Sequence, residues 1–193
     1  MEHDGNLEND VTNDAISCLS MRTDSNKDSF ERVYDAFFPV LMRIAYHITG
    51  NMNVSEDLCQ EAFIKYYQRT VPFPDTDQAK YWLIRVLKNL AYNFEKRKRR
   101  EKKAFTKVLQ QPQRTEPSGE SETLKKEAQN VVQRALQNIP YKFRSVLVLK
   151  EYGQLSYKEI ARILGITEGN VKVRVFRARE CLENLIKGGD YVP

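Results

Sequence analysis

The sequence predicts an all-α protein made of two small helical domains joined by a flexible linker. Three observations carry this expectation. Apolar residues recur at three- and four-residue intervals in each patterned segment, the spacing that lines one face of a helix, and no run alternates apolar with polar residues as a half-buried strand would. One stretch breaks the pattern: "EKRKRREKK" and then "QQPQRTEPSGES", which carries Pro112, Pro117 and Gly119 and no apolar period, the composition of an interdomain linker. The length, 193 residues of which 41% are apolar, suffices for one medium core or two small ones.

Residues 1–27 are rich in Asp, Asn and Ser and poor in large apolar groups, too few to offset the entropy of ordering them, so a disordered acidic tail is expected. From Phe30 helical period sets in through Val33, Tyr34, Phe37, Leu41, Ile44, Ala45 and Ile48, closing at Gly50. Pro39 is expected to kink or divide this run. A second helix follows "GNMNVSED", with Asn53 or Ser55 as N-cap and acids in its first turn, burying Leu58, Ala62, Phe63 and Tyr66. After the proline-punctuated loop "VPFPDTD", a third helix begins near Gln78, with Ala79, Trp82, Leu83, Val86, Leu90, Ala91 and Phe94 on its core side.

These helices make a first domain over 28–100, followed by a linker over 101–121, a second domain over 122–188 and a tail over 189–193. In the second domain Leu124 to Ile139 form a helix stopped by Pro140, and Phe143 to Val148 lie in another that ends at Gly153. Ser156 and Glu159 spell the capping box Ser-x-x-Glu for a short helix through Leu164. Gly165 then turns the chain, and Thr167 caps the last helix. At about 3.3 Å per residue the linker reaches roughly 65 Å at most, so the two domains can act on distant sites.

Net charge is +5, yet the first 28 residues hold seven acids against Arg22 and Lys27, a local −5 that leaves +10 for the rest. A basic body behind an acidic tail suits a polyanionic partner. Cys18, Cys59 and Cys181 are odd in number and far apart, and only His3 and His47 could supplement them, so neither a disulfide framework, a metal site nor a cofactor is expected. The acidic N-terminus lacks the basic and apolar regions of a signal peptide, and no stretch approaches membrane-spanning length. A cytoplasmic protein without membrane insertion is expected.

The spacing from Ile160 to Val171 is that of a helix-turn-helix: small Ala161 permits close approach, Leu164 and Ile166 bracket the turn, and Gly165 can take a positive φ. Val171, Val175, Ala178 and Leu182 pin the last helix to its neighbour. Asn170, Lys172, Val173, Arg174, Phe176 and Arg177 are left nearer the outside, supplying donors where a helix in the major groove meets base edges and phosphates. A basic solvated face on a helical hairpin is the plainer reading.

In the first domain, Asp57, Gln60, Glu61 and Ile64 share one helical face at spacings of i, i+3, i+4 and i+7. Carboxylates around an exposed Ile suit docking on a protein better than contact with phosphates; an ordinary solvated face explains them as well. No nucleophile, partner His or metal cluster accompanies the carboxylates, so catalysis is not expected. Opposite the core side of the third helix lie Tyr81, Ile84, Arg85, Lys88, Asn89, Tyr92 and Asn93, running on to Arg97 within "EKRKRR". Rings for stacking, amides for base edges and cations for the backbone are what single-stranded nucleic acid requires. A basic exposed helix is the equal alternative.

The stretch "IPYKFRSVLVLKEYGQLSYKEIARILGITEGNVKVRVFRARECLENLI" resembles region 4 of bacterial sigma factors of the extracytoplasmic-function group, and "SEDLCQEAFIKYY" with "YWLIRVLKNLAYNFEKRKRR" resembles region 2, in the expected order. Asn170 departs from the Thr usual in the family. The resemblance implies a monomeric promoter-specificity subunit that dissociates from the holoenzyme and serves a stress or envelope regulon. Asp57, Gln60, Glu61 and Ile64 would dock on the clamp helices of the largest RNA polymerase subunit. Tyr81, Arg85, Lys88, Asn89, Tyr92, Asn93 and Arg97 would read the -10 element as single strand and help melt it, while Thr167, Asn170, Lys172, Val173, Arg174, Phe176 and Arg177 would read the -35 duplex. The resemblance also implies that the linker threads the polymerase, and that an anti-sigma factor masks both reading faces. A stand-alone helix-turn-helix activator or nucleic-acid-binding adaptor, which never joins polymerase, is the alternative from a different class. The absence of an alternating strand and helix receiver pattern argues against a response regulator.

Overall fold

The computed structural model describes residues 8–108 and 124–187, which form seven α-helices with no strand among them. In chain order they are α1 (Glu8–Thr49), α2 (Met52–Tyr67), α3 (Thr76–Val108), α4 (Leu124–Asn138), α5 (Tyr141–Glu151), α6 (Tyr157–Leu164) and α7 (Glu168–Lys187). Helices α1, α2 and α3 pack together, and α7 packs on α4, α5 and α6.

Helix α1 buries Leu41, Ile44, Ala45 and Ile48, the stripe that helical spacing marks, and stops before Gly50 at φ 70°. It departs from expectation at two points. The helix begins at Glu8, so most of the segment expected as a disordered tail is helical; once a packed helix exists, each added residue gains a hydrogen bond without a new nucleus. Residues 1–7 lie outside the described residues. Pro39 sits within α1 without dividing it. The carbonyl that loses its partner there belongs to Asp35, which is exposed, as is Pro39, so water can replace the missing donor.

The N-cap of α2 is Asn51, whose side chain accepts from the Val54 N–H at 3.0 Å, in place of the expected Asn53 or Ser55. Ser55 is instead buried: its hydroxyl donates to the Asn51 carbonyl at 2.6 Å and lies 2.9 Å from the Thr49 hydroxyl. The earlier start removes acids from the first turn of α2. Asp75 caps α3, accepting from the Gln78 N–H at 2.7 Å. That helix continues through Val108, so the first eight residues assigned to the linker are helical; residues 109–123, with its prolines, lie outside the described residues. Cys59 and Cys181 are free, and burial pushes the Cys59 thiol up to about 12.

Pro140 ends α4 and opens α5, and the chain reverses through Gly153, where an added Cβ would lie 2.6 Å from the Leu149 carbonyl oxygen. The capping box of α6 is complete: the Ser156 side chain accepts from the Glu159 N–H, and the Glu159 carboxylate accepts from the Ser156 N–H. Gly165 takes φ 66°, ψ 38°, the left-handed conformation that ends α6.

The two helical groups do not stand apart. One buried cluster runs from Val33, Leu41 and Ile44 of α1 through Leu83, Ile84 and Leu87 of α3 to Val146, Ile160, Ile163 and Val175 of the second domain. Helix α3 packs against α1 and α2 on one side and against α5 and α6 on another.

Candidate nucleic-acid and partner-docking interfaces

The α6–turn–α7 unit is built as its spacing requires. Val171, Val175 and Ala178 are buried at i, i+4 and i+7, and Leu182 is half-buried. Thr167 caps α7 by accepting from the Asn170 N–H at 3.3 Å. Turned outward are Asn170, Lys172, Val173, Phe176 and Arg177, with Arg174 half-buried. Val173 is 49% and Phe176 63% exposed, apolar side chains one turn apart on the outward face. Lys172 pairs with Glu168 at 3.3 Å, an exposed ion pair of small worth that a phosphate can displace. Arg179, exposed on the same helix, is held by Glu151 at 2.7 Å.

The candidates on α3 divide into two sets. Asn89, Tyr92, Asn93 and Arg97 are exposed, and Arg97 pairs with Glu101 at 3.7 Å. The Tyr81 and Arg85 side chains and the Lys88 backbone carbonyl bond to the second domain, Arg85 remaining exposed. The Tyr81 hydroxyl donates to Glu159, and Arg85 Nη2 donates to the Arg162 carbonyl at 2.8 Å. The Tyr141 hydroxyl donates to the Lys88 carbonyl at 2.9 Å, and its ring lies 5.3 Å from that of Tyr92. Hydrogen bonds from Ser156 and then Tyr81 hold the Glu159 carboxyl down to about 2, and the bond to Glu159 lifts Tyr81 to about 12. Burial, then Arg85, lowers the Lys88 ammonium. Ile84 corrects the sequence reading, because it is fully buried instead of lying on the polar side.

Asp57, Gln60, Glu61 and Ile64 are all exposed on α2, and Ile64 is 55% accessible. Glu61 pairs with Lys65 at 3.3 Å, and Gln60 Nε2 donates weakly to Glu56 at 3.5 Å. Tyr67, 65% exposed at the end of α2 and missed in the sequence, lies one turn beyond Ile64; its signal is an aromatic residue at i+3 from Ile64. Among the described residues no group of His, Cys, Asp and Glu is placed to hold a metal, and no helix is long and apolar enough to cross a membrane.

The described residues, all helices and turns, with a capped helix-turn-helix behind a cationic, tyrosine-bearing helix and an acidic exposed face, have the parts of a transcription-initiation factor. Comparison with known proteins makes the assignment. Residues 33–101 match the family description "Sigma-70 region 2", and residues 129–182 match "Sigma-70, region 4". The ECF RNA polymerase sigma factor SigW of Bacillus subtilis is 30% identical over 170 residues, covering 84% of this chain and 91% of its own. The ECF RNA polymerase sigma-E factor of Escherichia coli K12 is 31% identical over 139 residues, covering 68% of this chain and 73% of its own. The fold is shared with the sigma factor RpoE solved in complex with the anti-sigma factor NepR from Bartonella quintana, at 24% identity and TM-score 0.63, covering 82% of this chain and 97% of that one. The chain belongs to the extracytoplasmic-function sigma factors of the sigma-70 family.

Proposed function

We propose that this sigma factor docks on the clamp helices of the largest subunit of core RNA polymerase through Asp57, Gln60, Glu61 and Ile64 of α2. Helix α3 then reads the single-stranded -10 element with Tyr81, Arg85, Lys88, Asn89, Tyr92, Asn93 and Arg97, and α7 reads the -35 duplex with Thr167, Asn170, Lys172, Val173, Arg174, Phe176 and Arg177. It acts as a monomer in the cytoplasm without catalysis or cofactor, serves a stress or envelope regulon, and is held in check by an anti-sigma factor. The observation that carries this reading is the segregation of exposed charge. The α2 face carries Asp57 and Glu61 around an apolar Ile64, where phosphates would be repelled, while the exposed faces of α3 and α7 carry cations beside aromatic rings.

The test is the double substitution Asp57→Lys, Glu61→Lys. Both positions are solvent-facing, so circular dichroism should be unchanged while co-elution with core polymerase is lost. Undiminished co-elution would remove the docking assignment.

A further inference from the structure

Where α3 passes the start of α5, the surface is hollowed into a cavity of about 180 Å³. On its α3 wall Tyr92, Lys96, Arg99 and Lys103 follow at i, i+4, i+7 and i+11, so one helical face brings a ring and three cations to the opening, and Arg100 adds a fourth. All four cations are exposed, and none has a hydrogen bond or ion pair with another described residue. Like charges spaced this closely on a helix repel one another, and a bound anion relieves the repulsion.

The opposite wall is Tyr141, whose hydroxyl is tied to the Lys88 carbonyl and whose ring lies 5.3 Å from that of Tyr92. Tyr92 is 47% exposed, which leaves ring surface free to stack. Glu95 also lines the cavity, with its side chain only 10% exposed. One of its carboxylate oxygens pairs with Arg144 Nη2 at 2.5 Å, and the other, Oε1, has no hydrogen-bond partner. A carboxylate can only accept, so the group it lacks is a donor.

An acceptor within and cations around the opening select a ligand with donors at one end and negative charge at the other, which is the polarity of a nucleotide. Guanine suits the acceptor best. Its Watson–Crick edge carries two adjacent donors, N1–H and the exocyclic amine, whereas adenine sets an acceptor nitrogen beside its amine, where it would face the carboxylate. The cavity is smaller than the roughly 300–1,000 Å³ of sites that enclose a whole ligand, so it takes the base and leaves the phosphates on the rim.

We propose that this cavity binds a free guanine nucleotide, with the base against Tyr92 and Tyr141, its donor edge on Glu95, and its phosphates on Lys96, Arg99, Arg100 and Lys103. Of these residues only Tyr92 is also assigned to the -10 element, so the site does not depend on that assignment.

Isothermal titration calorimetry of the free full-length chain with GTP, inosine triphosphate, ATP and inorganic tripolyphosphate tests it. GTP should bind at one site and about tenfold more tightly than ATP, the scale of one hydrogen bond to a charged group. Inosine triphosphate, which keeps N1–H and lacks the amine, should fall between them, and tripolyphosphate should bind most weakly. This series probes Glu95 without disturbing its pair with Arg144. The double variant Arg99→Glu, Lys103→Glu, altered only at exposed positions, should keep its circular dichroism and lose about tenfold or more in GTP affinity. No binding of GTP, equal affinity for GTP and ATP, or tripolyphosphate bound as tightly as GTP would each overturn the site. So would a charge-reversed variant that binds GTP like wild type.

Discussion

Asn89 illustrates what one side chain can contribute. It is exposed on α3 between Lys88 and Tyr92, and its amide offers two donors and an acceptor, enough to match the mixed edge of a base taken out of the stack. A lysine there would add charge and donors but no acceptor. Loss of the amide should therefore impair strand opening more than initial duplex binding, which the proposed function assigns to α7. We predict that Asn89→Ala holoenzyme binds promoter duplex normally but forms about five- to tenfold fewer open complexes, the scale of one or two hydrogen bonds. Permanganate footprinting of unpaired thymines reads this out. A template melted beforehand at the -10 element should restore only part of the activity, because base recognition is still missing; wild-type opening on intact duplex would make Asn89 an ordinary solvated residue.

Among the helices, the parts fixed by local chemistry were legible and those fixed by tertiary contact were not. The capping box of Ser156 and Glu159, the left-handed Gly165 and the buried Val171, Val175 and Ala178 all follow from spacing, since each depends on residues a turn or two away. The α2 cap was misplaced because Asn51, Asn53 and Ser55 are all capping types, and what excludes Ser55 is its burial against Thr49. Helix α3 was read as one-sided. Ile84 and Leu87 are buried as well, and with Ala91 of the expected core side they lead on to the buried Glu95; that spacing was the missed sign that something covers the supposed polar face. Ile84→Ala should accordingly cost about 2–5 kcal/mol in denaturant unfolding, a core value, where a solvated position would change by about 0.5 kcal/mol or less. The candidate base and polymerase contacts were legible only as chemistry on exposed faces; the structure leaves Asn89 and Ile64 exposed and bonds the Tyr81 hydroxyl to Glu159.

For the molecule as a whole, the sequence predicted two domains free to separate, and the structure packs them together through α3 and α1. His47 gives this packing a pH dependence. Its ring stacks on Tyr152 at 3.5 Å and its Nδ1 lies 2.6 Å from Gln133 Oε1, with burial and then Arg43 favouring the neutral form against the Gln133 bond. The closed-state pKa thus lies below 6.5, so the contact is at full strength above about pH 6.5 and weakens as pH falls from there toward the lowered value, where the open chain holds the extra proton. Scattering between about pH 7.5 and 5.5 should show wild type expanding, and His47→Phe, which keeps a ring without the titration, should expand less. The central claim is that the chain confers promoter choice on polymerase. Transcription from a fragmented genomic template with purified core polymerase tests it most directly: discrete start sites should appear only when the protein is added and vanish with Asp57→Lys, Glu61→Lys. The same transcripts with and without the protein would contradict the account.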